Sequence, residues 1–334
     1  MRASLDRVWE PDSFRRSRRP PSRGGLCVAA AVVACALGTG VGRAQAGRHA
    51  VLDHILDTYV RNGLVYYRAL RAERGSLDRY LASLDVPAAE VSGWTPAEQQ
   101  AFWLNAYNAL VLRTVIDAYP IRTRSADYPE GSIRQIPGAF DRAGHRVGGR
   151  TLTLDGIETM LLETFGDARL ALAVGRGAVG SPRLRSEAFV ADRLEAQLAE
   201  ATAECATRLS CARIDLSADE VELSPVIGWR EAAFVRSFEA RAGGRWANRS
   251  PIERAAAAMI YPHVYNREQQ LLERNTFRVT YGTLDWRLNV LGTGEFSTES
   301  ARWVPGVGRL RARPLAPTGL ILWKTRPSPY DHAR

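Results

Sequence analysis

The sequence predicts an α+β fold: a single, mainly helical domain with a small sheet formed by hairpins and short strands. Three observations carry that prediction. Capping-box patterns open several runs of helical period, glycine turns separate short β-prone stretches, and no strand–helix–strand series recurs along the chain. With 334 residues and 46% hydrophobic content, the chain can bury one substantial core.

The most informative helix is expected to run up to Tyr119. Thr95-Pro96-Ala97-Glu98 is a capping box with proline at the first helical position, and Pro120 disfavours helical backbone at Tyr119. Phe102, Leu104, Tyr107, Leu110, Val111, Leu112, Val115 and Ile116 occupy most of the circumference, which places this helix inside the domain. Asn105 and Asn108, three apart, fall on one side of it, where buried amides must find partners. They pin neighbouring loops or line a site. The first reading is preferred, because that is the commoner fate of a buried amide.

The remaining elements follow from simpler signals. His49–Arg61 has helical spacing, with Asn62-Gly63 as its C-cap. Leu64–Leu70 reads as a short strand or turn, and Ser76–Leu84 as a brief helix. An irregular stretch after Pro120, with Pro129, Gly131, Pro137 and Gly138, is long enough for a lid or binding loop, although structural filler is the commoner explanation. His145–Leu152 reads as a hairpin turning at Gly148-Gly149. Asp155-Gly156-Ile157-Glu158 opens a helix with capping-box spacing, which gives Glu158 a capping role.

Further on, Arg169–Val174 is expected as a short apolar strand and Val190–Ala206 as an amphipathic helix. Arg213–Leu216 and Val221–Ser224 form a second hairpin. Glu231–Ala240 is helical and stops at Gly243-Gly244. Ser250-Pro251-Ile252-Glu253 caps another helix, and Asn275–Tyr281 is a strand. From 290 onward the composition turns to Gly, Pro and Arg with no period, an irregular basic C-terminal extension over 290–334.

The formal charge of +9 resides at the ends. Residues 1–46 carry +5 and residues 290–334 carry +4, which leaves 47–289 neutral. A neutral domain between basic ends argues against a phosphate-binding surface, so no nucleic-acid partner is expected. Residues 1–46 read as an export signal. A basic region (Arg15, Arg16, Arg18, Arg19, Arg23) precedes the apolar run Leu26–Leu37, which is too short to span a bilayer, and Ala44-Gln45-Ala46 has the small residues of a cleavage site. Cleavage after Ala46 gives a periplasmic or secreted chain without a transmembrane segment. A lipoprotein box at Val32-Val33-Ala34-Cys35 ranks second. Cys205 and Cys211 then remain, either as a short-range disulfide or as two buried thiols. Neither has metal-ligand spacing with a histidine, and no metal or cofactor is expected.

Gly175-Arg176-Gly177-Ala178-Val179-Gly180 matches the dinucleotide pattern G-x-G-x-x-G. That reading is rejected, because Pro182 would fall early in the helix that the motif requires and no βαβ series surrounds it. Ser181 as a nucleophile is rejected too, since Gly180-Ser181-Pro182 lacks the nucleophile elbow and no base is indicated.

Taken together, these motifs resemble the bacterial and plant domain of unknown function 547 over roughly 64–289. The resemblance rests on Leu64-Val65-Tyr66-Tyr67, on Ala101–Leu110, on Leu152–Glu158 and on Val179-Gly180-Ser181-Pro182-Arg183-Leu184. Ser224, Trp229 and Phe234 continue it, and Leu284-Asp285-Trp286-Arg287-Leu288-Asn289 completes it. Four positions depart from the family pattern. Thr159 stands where the family has His, Arg176 at its first loop Cys, Ser181 at the Cys before Pro, and Ala233 at an Asp. Cys, His and Asp are the ingredients of thiol-based nucleophilic catalysis, so their replacement implies a scaffold kept and a chemistry dropped.

The resulting reading is a catalytically degenerate module that binds a small molecule or protein. Asn105, Tyr107, Asn108, Arg176, Ser181, Trp229, Asp285, Trp286 and Asn289 are its candidate pocket residues. Arg176 either binds an anionic group or pairs with Glu158, and pairing is preferred. The alternative is a hydrolase or transferase with Glu158 as general acid or base on an anionic substrate, which requires an open cleft and a raised carboxyl pKa.

Overall fold

The computed structural model describes residues 47–292 and is mainly helical, with short hairpins and a small three-stranded sheet. The segment read as an export signal and nearly all of the basic extension lie outside the described residues. The described residues as far as Leu291 belong to one compact unit.

Helix α1 (47–59) gives way to a hairpin, β1 (Val60–Arg61) and β2 (Leu64–Val65). Asn62 and Gly63, with φ of 50° and 82°, form its two-residue turn. They do not cap α1: an Asn-Gly pair suits a hairpin turn as well as a helix end, and the neighbouring strands decide. Three short helices follow, α2 (Tyr67–Ala72), α3 (Gly75–Ala82) and α4 (Ala88–Ser92).

Helix α5 (Pro96–Ala118) is the axis of the domain. The Thr95 hydroxyl accepts from Glu98 N, and the Glu98 carboxylate accepts from Thr95 N at 2.8 Å, so the capping box is complete. Every residue from Ala101 to Leu112 is buried. Helices α2 and α3 pack against α5. At about 1.5–3 kcal/mol for each large apolar side chain buried, this helix is the largest single contributor to the core.

The loop after α5 is organised by one buried side chain. Gln135 accepts from the Arg124 and Ser125 amides at 2.7 and 2.8 Å and donates to the Ser125 and Tyr128 carbonyls at 2.8 Å. The hairpin β3 (His145–Val147) and β4 (Arg150–Leu152) turns at Gly148-Gly149, both with positive φ. Helix α6 (Leu154–Phe165), which packs on α5, is capped by Thr153, whose hydroxyl accepts from Gly156 N at 3.0 Å. Glu158 therefore has no capping role and lies one turn inside the helix.

Arg169–Ala173 is a short helix, α7, and not a strand. The five apolar residues Leu170–Val174 carry no period that separates the two conformations. Asp167 decides locally, because its carboxylate accepts from Arg169 N at 2.9 Å and turns the chain. Helix α8 (Leu194–Thr207) packs against α7 and leads to β5 (Ala212–Asp215), which pairs antiparallel with β6 (Glu220–Leu223). Cys205 and Cys211 are disulfide-bonded across the end of α8.

Helices α9 (Pro225–Trp229), α10 (Glu231–Phe238), α11 (Pro251–Ile260) and α12 (Asn266–Arg274) precede β7 (Arg278–Tyr281). Strand β7 runs parallel to β6, with Val221 opposite Val279. The strands thus form two separate hairpins and one three-stranded sheet, where the sequence suggests one small sheet including Arg169–Val174.

The chain then returns across the domain. Val179 N and Gly180 N donate to the carbonyls of Arg287 and Asp285 at 2.9 Å, and Val65 N donates to that of Asn289 at 2.8 Å. A Cβ at Gly180 would lie 2.5 Å from Asp285 N, so only glycine permits this approach.

A candidate binding site around Glu158

Glu158 joins three distant segments. Arg176, on the glycine-rich loop, donates from Nη2 to Glu158 Oε1 at 2.5 Å. Arg230, at the start of α10, donates from Nε to the same oxygen at 2.9 Å. Glu158 and Arg176 are 2% and 4% exposed, whereas the Arg230 side chain keeps 28% of its surface. The cluster is buried at its centre and open at one edge.

The charges hold one another in place. Burial pushes the Glu158 carboxyl up, but Arg176 and then Arg230 outweigh it and leave the pKa below the ordinary glutamate value. Burial works against the Arg176 cation, and the Glu158 carboxylate more than offsets it. Both groups are ionised. A general acid or base needs access to substrate and a pKa near the working pH, and Glu158 has neither.

The asparagines are spent on backbone. Asn105 donates to the Phe189 carbonyl at 2.8 Å and accepts from the Phe189 amide at 2.9 Å. Asn108 donates to the Ala173 carbonyl at 3.1 Å and accepts from Gly175 N at 2.8 Å. Asn108 thereby fixes the entry to the loop that carries Arg176. Asn289 does similar work, donating to the Gly63 carbonyl and accepting from the Tyr67 hydroxyl at 2.7 Å. The Ser181 hydroxyl donates to the Ala178 carbonyl at 2.9 Å and accepts from Arg176 N at 3.2 Å, a turn role that leaves it no free proton.

Asp285 pairs with Arg287, two residues on. Tyr107 is fully buried close to the Glu158–Arg176 pair, and burial raises its phenol pKa. Its hydroxyl has no hydrogen-bond partner among the described residues.

Trp286 and Trp229 form the open edge. Their rings are stacked, 18° from parallel with centroids 6.4 Å apart. Phe140 and Tyr128 meet Trp286 edge-on at 6.0 and 6.3 Å, and the Arg134 guanidinium lies 5.2 Å from the Trp286 ring. The loop after α5 thus delivers an aromatic and cationic wall to the site.

Sequence reasoning missed Arg230, Arg134 and Tyr128. Arg230 carried one legible signal: a cation at a helix N-terminus opposes the helix dipole, so something else must hold it. Among the described residues, no group of three or more His, Cys, Asp or Glu side chains is placed to hold a metal ion. No helix among them is long and apolar enough to cross a membrane.

The helix carrying the two asparagines, the Glu158 helix and the glycine-rich loop meet within one stretch of chain. Residues 91–204 match the family model Protein of unknown function, DUF547. The matched residues include Asn105, Asn108, Glu158, Thr159, Arg176 and Ser181. Trp229, Ala233 and the segment Asp285–Asn289 lie outside the matched residues. No curated protein and no solved structure matches the chain.

Proposed function

We propose that this chain is an exported binding module in which the DUF547 scaffold has lost nucleophilic chemistry. One observation carries the reading: where the family pattern has a loop cysteine, the Arg176 guanidinium reaches Glu158 at 2.5 Å, with both side chains buried. A permanent cation stands in the place of a thiolate. Ser181 cannot substitute for it, since its proton is committed to the Ala178 carbonyl. The two cysteines of the described residues are bridged and so supply no nucleophile. That bridge also supports export, because short structural disulfides belong to oxidising compartments. The ligand, a small molecule or a protein, approaches from the open edge at Arg230 and Trp229.

Restoring the family residues tests this reading. The variant Thr159→His, Arg176→Cys, Ala233→Asp is made in the chain beginning at Gly47 and alkylated with iodoacetamide across pH. An introduced thiol that titrates well below ~8.5 supports a disarmed catalytic pocket. A thiol that reacts like an ordinary buried cysteine overturns the proposal, because the pocket geometry for thiolate chemistry is then absent.

A further inference from the structure

Trp229 is 52% exposed, whereas Trp94, Trp103 and Trp246 are buried. It does not stand alone, because its ring continues that of Trp286 into one aromatic face. It is also held rigidly, because Trp286 stacks beneath it and is itself braced by Phe140 and Arg134. A rigid flat surface binds with little loss of conformational entropy.

The rim beside it supplies both kinds of hydrogen-bonding group. Arg230, next in sequence, gives Nε to Glu158, and no other N–H of its guanidinium is hydrogen-bonded among the described residues. Asp155 lies one helical turn before Glu158, and its backbone N–H donates to the Phe140 carbonyl at 3.0 Å. Asp155 is exposed as a residue, with its carboxyl partly buried, and that carboxylate makes no hydrogen bond or ion pair among the described residues. Phe140 and Glu158, both buried, tie Asp155 to Trp286 and to Arg230, and the Arg230 charge acts on the Asp155 carboxyl, so the exposed parts of Asp155, Arg230 and Trp229 lie in one neighbourhood. Partial burial, then the Glu158 charge, raises the Asp155 pKa, in keeping with that placement.

We infer that this surface binds a pyranose ring of a glycan, with its C–H face on Trp229 and its hydroxyl edge between Arg230 and Asp155. The inference rests on the binding-module reading and names the ligand class for that site. A pyranose presents a flat apolar face and a polar edge whose hydroxyls donate and accept, which a donor-only guanidinium and an acceptor-only carboxylate satisfy together. A simple anion or cation fits less well. The rim carries charges of both signs, Arg230 and Arg134 beside Asp155, and the cation position against Trp286 is already filled by Arg134.

Affinity electrophoresis of the chain from Gly47 to Arg334 tests this, in gels containing dextran, hydroxyethylcellulose, glycol chitosan or polygalacturonate. The expected result is retardation by at least one neutral polysaccharide. Trp229→Ala should weaken it about tenfold or more, Trp229→Phe should keep part of it, and Asp155→Ala should weaken it with the indole intact. Tyr265→Ala, at a tyrosine 84% exposed that meets none of the site's aromatic rings among the described residues, should leave it unchanged.

The inference is overturned if no polysaccharide retards the protein, or if retardation survives loss of the aromatic ring at 229. It is also overturned if only polygalacturonate acts and high salt abolishes the effect, which is ionic binding by basic residues. The thiol titration of the restored variant reads the pocket and not the glycan, so the two proposals fail separately.

Discussion

Arg176 and Glu158 meet at 2.5 Å in the interior, each less than 5% exposed. Bringing two charges out of water costs several kcal/mol each, and their attraction repays this only when both are well paired. Here a second guanidinium, that of Arg230, reaches the same carboxylate oxygen from the rim. The cluster ties the glycine-rich loop, α6 and the start of α10 to one point.

Removing one member of this pair strands the other. Glu158→Leu leaves Arg176 buried without its anion and should destabilise the domain by about 3–5 kcal/mol in urea unfolding. The double change Glu158→Leu, Arg176→Met should recover most of that loss. A double variant as unstable as the single one would show that the segments depend on the charges themselves.

His49 makes stability fall on mild acidification. Its imidazole is buried, with Nδ1 2.8 Å from the Tyr80 hydroxyl and the Phe102 ring nearby, and burial, aided by the Arg48 charge, lowers its pKa from 6.5 to about 4. Between those values the unfolded chain binds the proton and the folded chain does not. Stability is therefore full above pH 6.5 and falls as the pH drops toward 4, by about 3 kcal/mol in all. His49→Gln should flatten unfolding midpoints across that window. Glu158 acts lower down: its folded-state pKa is depressed, so its contribution is present above ~4.3 and is lost as the pH falls through the folded value.

Asn105→Ala and Asn108→Ala should each cost about 2 kcal/mol or more, because each leaves a buried backbone N–H and C=O unpaired. Asn108→Asp should cost more than Asn108→Ala, since it sets an acceptor against the Ala173 carbonyl. Equilibrium denaturation of the three variants checks the order.

The Cys205–Cys211 bridge closes a loop only six positions apart in sequence, so the double serine variant should lose about 2 kcal/mol. Thiol titration of the unfolded chain from Gly47, purified without reductant, should find no free cysteine.

Helix α5 was legible because both its ends carry local signals, Thr95-Pro96-Ala97-Glu98 and Pro120, and its apolar circumference forces burial. The Gly148-Gly149 hairpin was legible for the same reason. Arg169–Ala173 was not, because a short apolar run lacks a period and Asp167 turns it from outside. The Asp155–Glu158 spacing imitates a capping box, but the chain offers Thr153 as a better-placed cap. At the site, the pairing of Arg176 with Glu158 and the pinning role of the asparagines follow from what buried polar groups need. Arg134 and Tyr128 reach the site only through tertiary packing, and the one local signal at Arg230 is its unfavourable place at the start of α10.

The central claim is that Glu158 is a buried anchor, ionised below the ordinary glutamate range, and not an acid or base. Carbon-13 NMR of the Glu158 carboxyl, assigned by difference from Glu158→Gln, reads this directly. The account predicts a carboxylate that stays ionised down through ~4.3 as the protein is acidified. A titration midpoint of about 6, as for a tuned catalytic acid, would contradict it.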